Sequence, residues 1–301
     1  MIDKRVESSD GVHELVGRVY IPEGEPRGAF QVVHGMTEHI ARYDGFMREL
    51  ASAGFVTFGY DHLGHGKTAL NDSELGFIAH KDGWKHLVDD VDIFASAVRS
   101  EYGEALPYVL MGHSMGSFVV RMTAAKYNKH DKLIVMGTGG PNPAAGAGLA
   151  MIGIIKTFKG EKHISKLIYS IAFGKYNERF ADENDQYAWL TKNVDERIKY
   201  AGDKFCTFKF TVSAMGDLIS VNKASNDKNW APSLDKSKPI LLVSGTDDPV
   251  GEYGKGVAAV RDMIASAGIP VRMKLYENCR HEILNDTSRE EVIRDILEFA
   301  E

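Results

Sequence analysis

The sequence predicts a doubly wound α/β fold, in which a mostly parallel sheet carries helices on both faces. Short runs rich in Val, Ile, Leu and Phe end in Gly, Asp or His. Segments with apolar residues at helical spacing follow them. Strands that are buried on both faces have such continuous apolar runs, and their alternation with helices is typical of parallel sheets.

Seven strands and five helices of this fold can be located from the pattern. The predicted strands are Glu14–Ile21, Ala29–His34, Phe55–Asp61, Tyr108–Gly112, Lys132–Gly137, Pro239–Ser244 and Val271–Tyr276. The predicted helices are Arg42–Ala53, Trp84–Arg99, Met115–Tyr127, Gly254–Ala267 and Arg289–Phe299. Gly54 and Gly268 directly follow the first and fourth of these helices. Glycine is common at this position because the chain often adopts a left-handed backbone conformation where a helix ends.

The alternation fails between residues 141 and 232. This stretch contains no convincing strand, and it has helical patches at Leu149–Phe158 and Ile164–Phe173. We expect it to form an inserted helical cap, while residues 1–140 and 233–301 form the α/β core. Such a cap would cover the carboxyl ends of the strands, where open α/β sheets bind ligands.

Composition excludes several classes of protein. The net charge is −6 and no dense Lys/Arg stripe occurs, which disfavours nucleic acid or an anionic surface as an electrostatic partner. The amino-terminal residues contain no apolar signal segment, and the two cysteines, Cys206 and Cys279, do not indicate a disulfide framework. The longest apolar run, Ala144–Ile155, is shorter than the ~18 residues of a membrane span. We therefore expect a soluble, cytoplasmic protein.

The strongest chemical signal is Gly112-His113-Ser114-Met115-Gly116, at the junction of a predicted strand and a predicted helix. This is the G-x-S-x-G pattern of a nucleophile elbow in the context that the elbow requires. The turn places the serine on a strained backbone, and the flanking glycines allow neighbouring elements to approach closely. The pattern predicts that Ser114 is a nucleophile.

A serine hydroxyl requires a general base, and the elbow fold places a histidine after the last strand. His281 satisfies this order, whereas His130 and His163 precede the strand that should carry the acid. His113 adjoins the nucleophile, but neighbouring side chains point apart at the elbow, which indicates a packing role. His281 is therefore the predicted base.

The acid of the triad should follow the strand Pro239–Ser244. That strand leads into Gly245-Thr246-Asp247-Asp248, at the same edge of the sheet as the nucleophile. Residue chemistry alone leaves Asp247 and Asp248 as alternatives.

An oxyanion hole requires backbone N–H groups that point to the developing charge. One donor should be the N–H of Met115, the residue after the nucleophile. The second should come from the loop His34-Gly35-Met36, which places the N–H of Met36 near the same point.

Three competing motifs fail on their context. Gly64–Thr68 is similar to the end of a phosphate-binding loop, but Asp61 stands where the first glycine is required. A dinucleotide-binding fingerprint ending at Ala69 lacks the expected helix. His62 and His65 have metal-ligand spacing without a suitable third ligand. We expect this segment to form a structured turn beside the site.

Together the motifs resemble the monoacylglycerol lipase and lysophospholipase group of α/β hydrolases, in a bacterial form. The similarity covers nearly the whole chain outside the cap. It rests on His34–His39 with Arg42-Tyr43, Asp61–Gly66, Gly112–Gly116, Gly245–Asp248 and His281, and more loosely on Ala188–Asn193 and Phe205–Thr211.

The resemblance implies roles for further residues. The family pattern G-x-x-D places the acid at Asp248. In monoacylglycerol lipases the residues matching Glu38 and Arg42 help to organise the alcohol end of the pocket. The alternative is an i, i+4 ion pair that orders the oxyanion loop. Leu284 stands where those enzymes carry a second histidine, so the alcohol half of the substrate stays open.

The predicted activity is two-step hydrolysis of lipid-like esters, which needs no metal or organic cofactor. Short-chain or hydroxycinnamoyl esters, acyl transfer to an alcohol, and a non-catalytic binding role on the same fold are the alternatives. The apolar segment Leu149–Ile155 either packs in the core of the cap or forms a face that contacts lipid transiently.

Overall fold

The computed structural model describes residues 1–301 and contains one eight-stranded sheet. Along the sheet the strand order is β1-β2-β4-β3-β5-β6-β7-β8, in which β3 to β8 are parallel and β1 and β2 are antiparallel. The strands are β1 (Ile2–Glu7), β2 (Glu14–Tyr20), β3 (Gly28–Val33), β4 (Phe55–Tyr60), β5 (Tyr108–His113), β6 (Lys132–Met136), β7 (Ile240–Gly245) and β8 (Val271–Tyr276).

The predicted fold class is confirmed, and each predicted strand lies within one residue of an observed one. The prediction missed β1, whose sequence is rich in charged residues and whose side chains are exposed or only half-buried. An edge strand of this kind lacks the apolar run that identifies a buried strand, and charged side chains commonly protect such edges from further pairing.

Nine α-helices accompany the sheet. They are α1 (Asp44–Ser52), α2 (Gly83–Tyr102), α3 (Met115–Tyr127), α4 (Ala145–Lys159), α5 (Lys166–Phe173), α6 (Val194–Gly202), α7 (Val212–Ser225), α8 (Lys255–Ser266) and α9 (Arg289–Ala300). The first predicted helix is in fact a tight 3₁₀ turn over Ile40–Tyr43 followed by α1. No helix is both long and apolar enough to span a membrane.

The central strands are buried on both faces, which explains their continuous apolar runs. In β3, Ala29 and Val33 join one core, whereas Phe30 and Val32 join the other. This division follows from the period of two along a strand. Helices α2, α3 and α8 contribute to the first core, and α1 and α9 contribute to the second.

The segment between β6 and β7 contains helices α4 to α7 and no strand, and the predicted insertion falls within it. Leu190, Tyr200 and Cys206 form a small cluster of their own, but other buried side chains of the segment join a larger core. Ile152, Ile168, Met215 and Val221 belong to the same apolar core as α2 and α3. Burial of these side chains attaches the helical segment to one face of the sheet.

Asp217 on α7 makes a polar link between this segment and the core. Its carboxylate accepts a hydrogen bond of 3.1 Å from the backbone N–H of Trp84 in the first turn of α2. The residue that precedes α2, Asp82, provides no side-chain cap. Burial raises the pKa of Asp217 to about 7, against the opposing effect of the Trp84 hydrogen bond. The buried carboxyl group is therefore protonated more readily than an exposed one.

We expect Asp217 to make stability fall as pH rises from about 4 to 7. The unfolded carboxyl loses its proton near pH 4, while the folded one keeps it up to about pH 7, so the folded state binds more protons in that window. Asp217→Asn should gain stability relative to the wild type across this range, by about 2 kcal/mol. Urea unfolding at several pH values measures the difference, and equal pH slopes for both proteins would contradict it.

Candidate active site

Ser114 lies at the sharp turn between β5 and α3. Its backbone has φ 53° and ψ −120°, a left-handed conformation that non-glycine residues rarely adopt. A Cβ atom at Gly112 would lie 2.2 Å from the Gly116 carbonyl oxygen, and one at Gly116 would lie 2.3 Å from that of Val33. Only glycine fits at these two positions, which is the physical basis of the motif.

An imidazole–carboxylate pair lies at the carboxyl ends of β7 and β8. His281 Nδ1 is 3.0 Å from both carboxylate oxygens of Asp248, which is fully buried. The carboxylate also accepts hydrogen bonds from Ser244 Oγ at 3.0 Å and from the Val250 N–H at 2.9 Å. These contacts fix the position of the carboxylate beneath the imidazole.

The structure distinguishes the two candidate aspartates. The carboxylate of Asp247 makes no hydrogen bond to the imidazole, and one of its oxygens lies 3.7 Å from Lys192 Nζ. The carboxylate that contacts His281 is thus that of Asp248.

The surroundings keep Asp248 ionised. Burial alone would raise the pKa of its carboxyl group, but the charge and hydrogen bond of His281 lower the pKa below the ordinary value. A carboxylate here accepts the Nδ1 proton of His281, which leaves Nε2 able to accept another proton. No hydrogen bond joins Ser114 Oγ to His281, and such contacts are often long before substrate binds.

The loop after β3 passes directly beside the nucleophile. A Cβ atom at Gly35 would lie 2.9 Å from Ser114 Cβ, so Gly35 allows this close approach. Met36 follows Gly35 in this loop, and Met115 is the first residue of α3. The first N–H groups of a helix have no partner within the helix, so the Met115 N–H is free to act as a donor.

Buried histidines support this loop through hydrogen bonds and ring packing. His34 Nδ1 lies 2.8 Å from the Gly35 carbonyl oxygen, and His34 Nε2 accepts from the His62 N–H at 3.0 Å. Burial lowers the pKa of His62 to about 3 and that of His65 to about 4, so both are neutral. The three rings therefore act as uncharged supports for the loop.

Asp61 holds the segment that follows β4 in place. Its carboxylate accepts from the N–H groups of Ile40 and Lys67, each at 2.8 Å. These bonds join the segment to the 3₁₀ turn after β3. The segment is a structured turn, in agreement with the expectation from the sequence.

Glu38 and Arg42 belong to a buried polar network below the loop. Glu38 accepts from the Gly35 N–H at 2.6 Å, from Tyr43 Oη at 2.9 Å and from Arg42 Nη1 at 3.0 Å. Arg42 in turn makes two hydrogen bonds, of 2.6 and 2.7 Å, to the carboxylate of Glu282. These contacts occupy both side chains within the protein, which favours the loop-ordering interpretation over direct contact with substrate.

His113 makes polar contacts that the predicted packing role did not include. Its Nδ1 is 3.1 Å from Glu38 Oε1 and 2.9 Å from Tyr43 Oη, and its Nε2 is 3.3 Å from the His281 carbonyl oxygen. Burial would lower the pKa of His113, but the hydrogen bond and charge of Glu38 raise it. His113 therefore links the nucleophile strand to the loop that carries the imidazole. Nothing in the local sequence signals this contact.

The sequence pattern also did not place Trp189 or Leu190 near the site. The Trp189 ring lies 5.2 Å from the His281 ring, and Glu282 donates its backbone N–H to the Leu190 carbonyl oxygen at 2.7 Å. These contacts join the helical segment to the loop of the imidazole. They come from residues that are distant in sequence.

A cavity of about 450 Å³ lies on the far side of the Arg42 network. Its lining includes His39, Arg42, Tyr200, Cys206 and Leu284. None of the three predicted triad residues lines it. The cavity is thus distinct from the space in front of the nucleophile.

The sheet topology and the elbow define an α/β hydrolase. A family model described as Hydrolase_4, serine aminopeptidase S33, matches residues 24–288. The chain belongs to this family, and within it the chain is an α/β hydrolase of the monoacylglycerol lipase-like type.

Three relatives illustrate the similarity. The monoacylglycerol lipase of Mycolicibacterium smegmatis is 23% identical over 94% of this chain and 91% of its own. The human monoglyceride lipase is 26% identical over 91% of this chain and 81% of its own. A thermostable carboxyl esterase from Bacillus coagulans, solved in complex with glycerol, is 32% identical, with a TM-score of 0.91 over 99% of this chain and 97% of its own. These relatives support ester hydrolysis.

We expect Arg42→Met to destabilise the protein by about 3–5 kcal/mol, because Glu38 and Glu282 would remain buried without their cation. Arg42→Met combined with Glu282→Met should recover part of this loss. Arg5→Met, which breaks an exposed ion pair with Glu14, is the control and should change the free energy of unfolding little. Urea unfolding measures all three, and equal effects at Arg42 and Arg5 would contradict the network.

Proposed function

We propose that this protein is a serine carboxylic-ester hydrolase acting through Ser114, His281 and Asp248. The observation that carries the proposal is the pairing of a buried carboxylate with His281 Nδ1 at 3.0 Å, at the same sheet edge as a serine on a strained elbow. The order of the three residues along the chain is the one expected for this fold.

In the first step Ser114 Oγ attacks the ester carbonyl while His281 Nε2 takes its proton. The Asp248 carboxylate keeps the imidazole in the required tautomer and stabilises the imidazolium. His281 then gives the proton to the leaving alcohol as the acyl-enzyme forms. Water attacks the acyl-enzyme with His281 as base, and the acid leaves. The steps need no metal or organic cofactor.

The backbone N–H groups of Met36 and Met115 would hold the oxyanion. Met36 follows the glycine that lies against Ser114, and Met115 begins the helix whose positive end favours negative charge. Losing one such donor typically costs about 3 kcal/mol of transition-state stabilisation. The Glu38 contact to the Gly35 N–H supports the loop in the required position.

The substrates we propose are lipid-like esters, such as monoacylglycerols or lysophospholipids. The named activities of the relatives support this class. Leu284 lines the cavity beside Arg42. Its side chain cannot supply the second imidazole that would bind a glycerol hydroxyl. Apolar side chains that pack against the first core and are only partly buried are the candidates we propose for contact with an acyl chain; they are Met36, Met151, Ile155, Phe173, Leu218 and Ile219.

The helical segment also presents apolar side chains to solvent. The lysines Lys159, Lys162 and Lys166 lie in or between α4 and α5. Exposed apolar groups edged by lysines are typical of a face that contacts lipid transiently. We propose that this face loads substrate from micelles or bilayers. Its apolar members are Ile154, Phe158, Leu167 and Ile171, which are 61%, 80%, 57% and 62% exposed.

Ser114→Ala should lower kcat for p-nitrophenyl esters by up to about 10⁶, because the acyl-enzyme cannot form. It should also prevent labelling by a fluorophosphonate probe. The matched control is Ser100→Ala on α2, where an exposed hydroxyl donates only to the Ala97 carbonyl oxygen, and it should keep both activity and labelling. Ordinary activity in Ser114→Ala would end the proposal.

A substrate panel separates the remaining alternatives. Monoacylglycerols of several chain lengths, lysophospholipids, short-chain esters and hydroxycinnamoyl esters test the acyl and alcohol halves. Added glycerol or methanol tests acyl transfer, since an acyltransferase would form a new ester in place of the free acid. An aminoacyl amide tests the activity named in the family description.

Phe158→Ser with Ile171→Ser should reduce hydrolysis of monoacylglycerol in vesicles several-fold and leave hydrolysis of soluble p-nitrophenyl acetate unchanged. The matched control is Val194→Ser with Ile198→Ser on α6, where two comparably exposed apolar residues adjoin acidic ones. Equal loss in both double variants, or loss on the soluble ester, would contradict a specific lipid-contacting face.

A further inference from the structure

A second cluster of reactive side chains lies outside the proposed catalytic site. One ligand atom from each of His39, Asp203 and Cys206 lies within 4.8 Å of the other two. His39 follows β3 in the loop that also contains Gly35, whereas Asp203 and Cys206 follow α6 in the helical segment. The cluster therefore joins two parts of the fold.

The local backbone aims these groups at one point. The Cys206 N–H donates to the Asp203 carbonyl oxygen at 3.0 Å, which closes a turn between these two residues. One Asp203 oxygen accepts from the Phe205 N–H at 2.8 Å, and the other lies 2.9 Å from His39 Nε2. The Phe205 ring packs against the His39 ring at 5.8 Å and limits its rotation.

The Cys206 thiol has no polar partner within the fold. Cys206 is 2% exposed, is not in a disulfide, and its sulfur makes no hydrogen bond. The other cysteine, Cys279, differs in this respect, because its sulfur lies 3.7 Å from Thr287 Oγ1. A buried sulfur at the edge of a polar cavity is thus left available to a ligand.

We propose that His39, Asp203 and Cys206 form a binding site for a divalent transition-metal ion of the Zn²⁺ class. Imidazole, carboxylate and thiolate are the ligands that zinc takes, and the thiolate discriminates against Mg²⁺ and Ca²⁺. Ligands on a tetrahedral zinc lie about 3.3–3.6 Å apart, given bond lengths of about 2.0–2.3 Å. Small side-chain movements bring the three atoms to that spacing.

Metal binding would release a proton from Cys206 and would restrict the position of the helical segment. The Sγ–H bond of Cys206 breaks, its proton goes to the buffer, and the sulfur lone pair forms the bond to the metal without any change of oxidation state. All three ligands line the 450 Å³ cavity, so the fourth position is open to water. The ion would tie the loop after β3 to the segment after α6.

Co²⁺ provides a direct spectroscopic test that does not depend on ester hydrolysis. Titration of the full chain with Co²⁺ should give a saturable 1:1 thiolate-to-cobalt charge-transfer band, which Zn²⁺ displaces. Cys206→Ser should abolish the band, and Cys279→Ser is the matched control that should retain it. His39→Asn independently tests the ligand in the loop after β3 and should weaken Zn²⁺ binding by at least about 10–100-fold. A loss of this size is typical when a residue that only supports a metal ligand is replaced.

Zn²⁺ should also raise the Tm of the wild type and of Cys279→Ser, but not that of Cys206→Ser. Circular dichroism of the metal-free variants establishes that each is folded. Absence of saturable binding, or a band that survives Cys206→Ser, would overturn the proposal. The contact between His39 and Asp203 would then be a hydrogen bond without a metal-binding role.

Discussion

The buried ion pair between Arg42 and Glu282 connects the parts of the site that must stay in register. Glu282 follows the imidazole, His281, and Arg42 is also held by Glu38. Glu38 reaches the Gly35 N–H on the loop beside the nucleophile. Charges that are removed from water have strict geometric requirements, because an unpaired one costs several kcal/mol. The network therefore allows little relative movement between the loop and the imidazole.

The elbow is the second constraint, and both His113 and the loop at Gly35 connect it to the first. Ser114 adopts a left-handed backbone because Gly112 and Gly116 let β5, β3 and α3 approach one another closely. His113 connects this strained turn to Glu38 and to the carbonyl oxygen of His281. Strain at the serine is thus supported by rigid neighbours, as a preorganised site requires.

The helical segment between β6 and β7 contributes to the same arrangement from outside. Trp189 lies against the His281 ring, and the Leu190 carbonyl oxygen accepts from the Glu282 N–H. The segment shares its apolar core with α2 and α3, so it is integral to the fold. The exposed faces of α4 and α5 project away from this packing. One element thereby serves both stability and the proposed contact with lipid.

The order of amino acids was enough to predict the fold class, seven strands, and Ser114, His281 and the Asp247–Asp248 pair as candidates. Buried parallel strands and the elbow have local signatures, because burial on both faces and a strained turn restrict which residues fit. The edge strand β1 could not be recognised, because its position removes the apolar pattern. Nor could the pattern show which distant side chains meet around one site, as His113, Glu282, Trp189 and Tyr43 do. Those contacts join residues far apart in the chain, and only tertiary packing decides which side chains become neighbours.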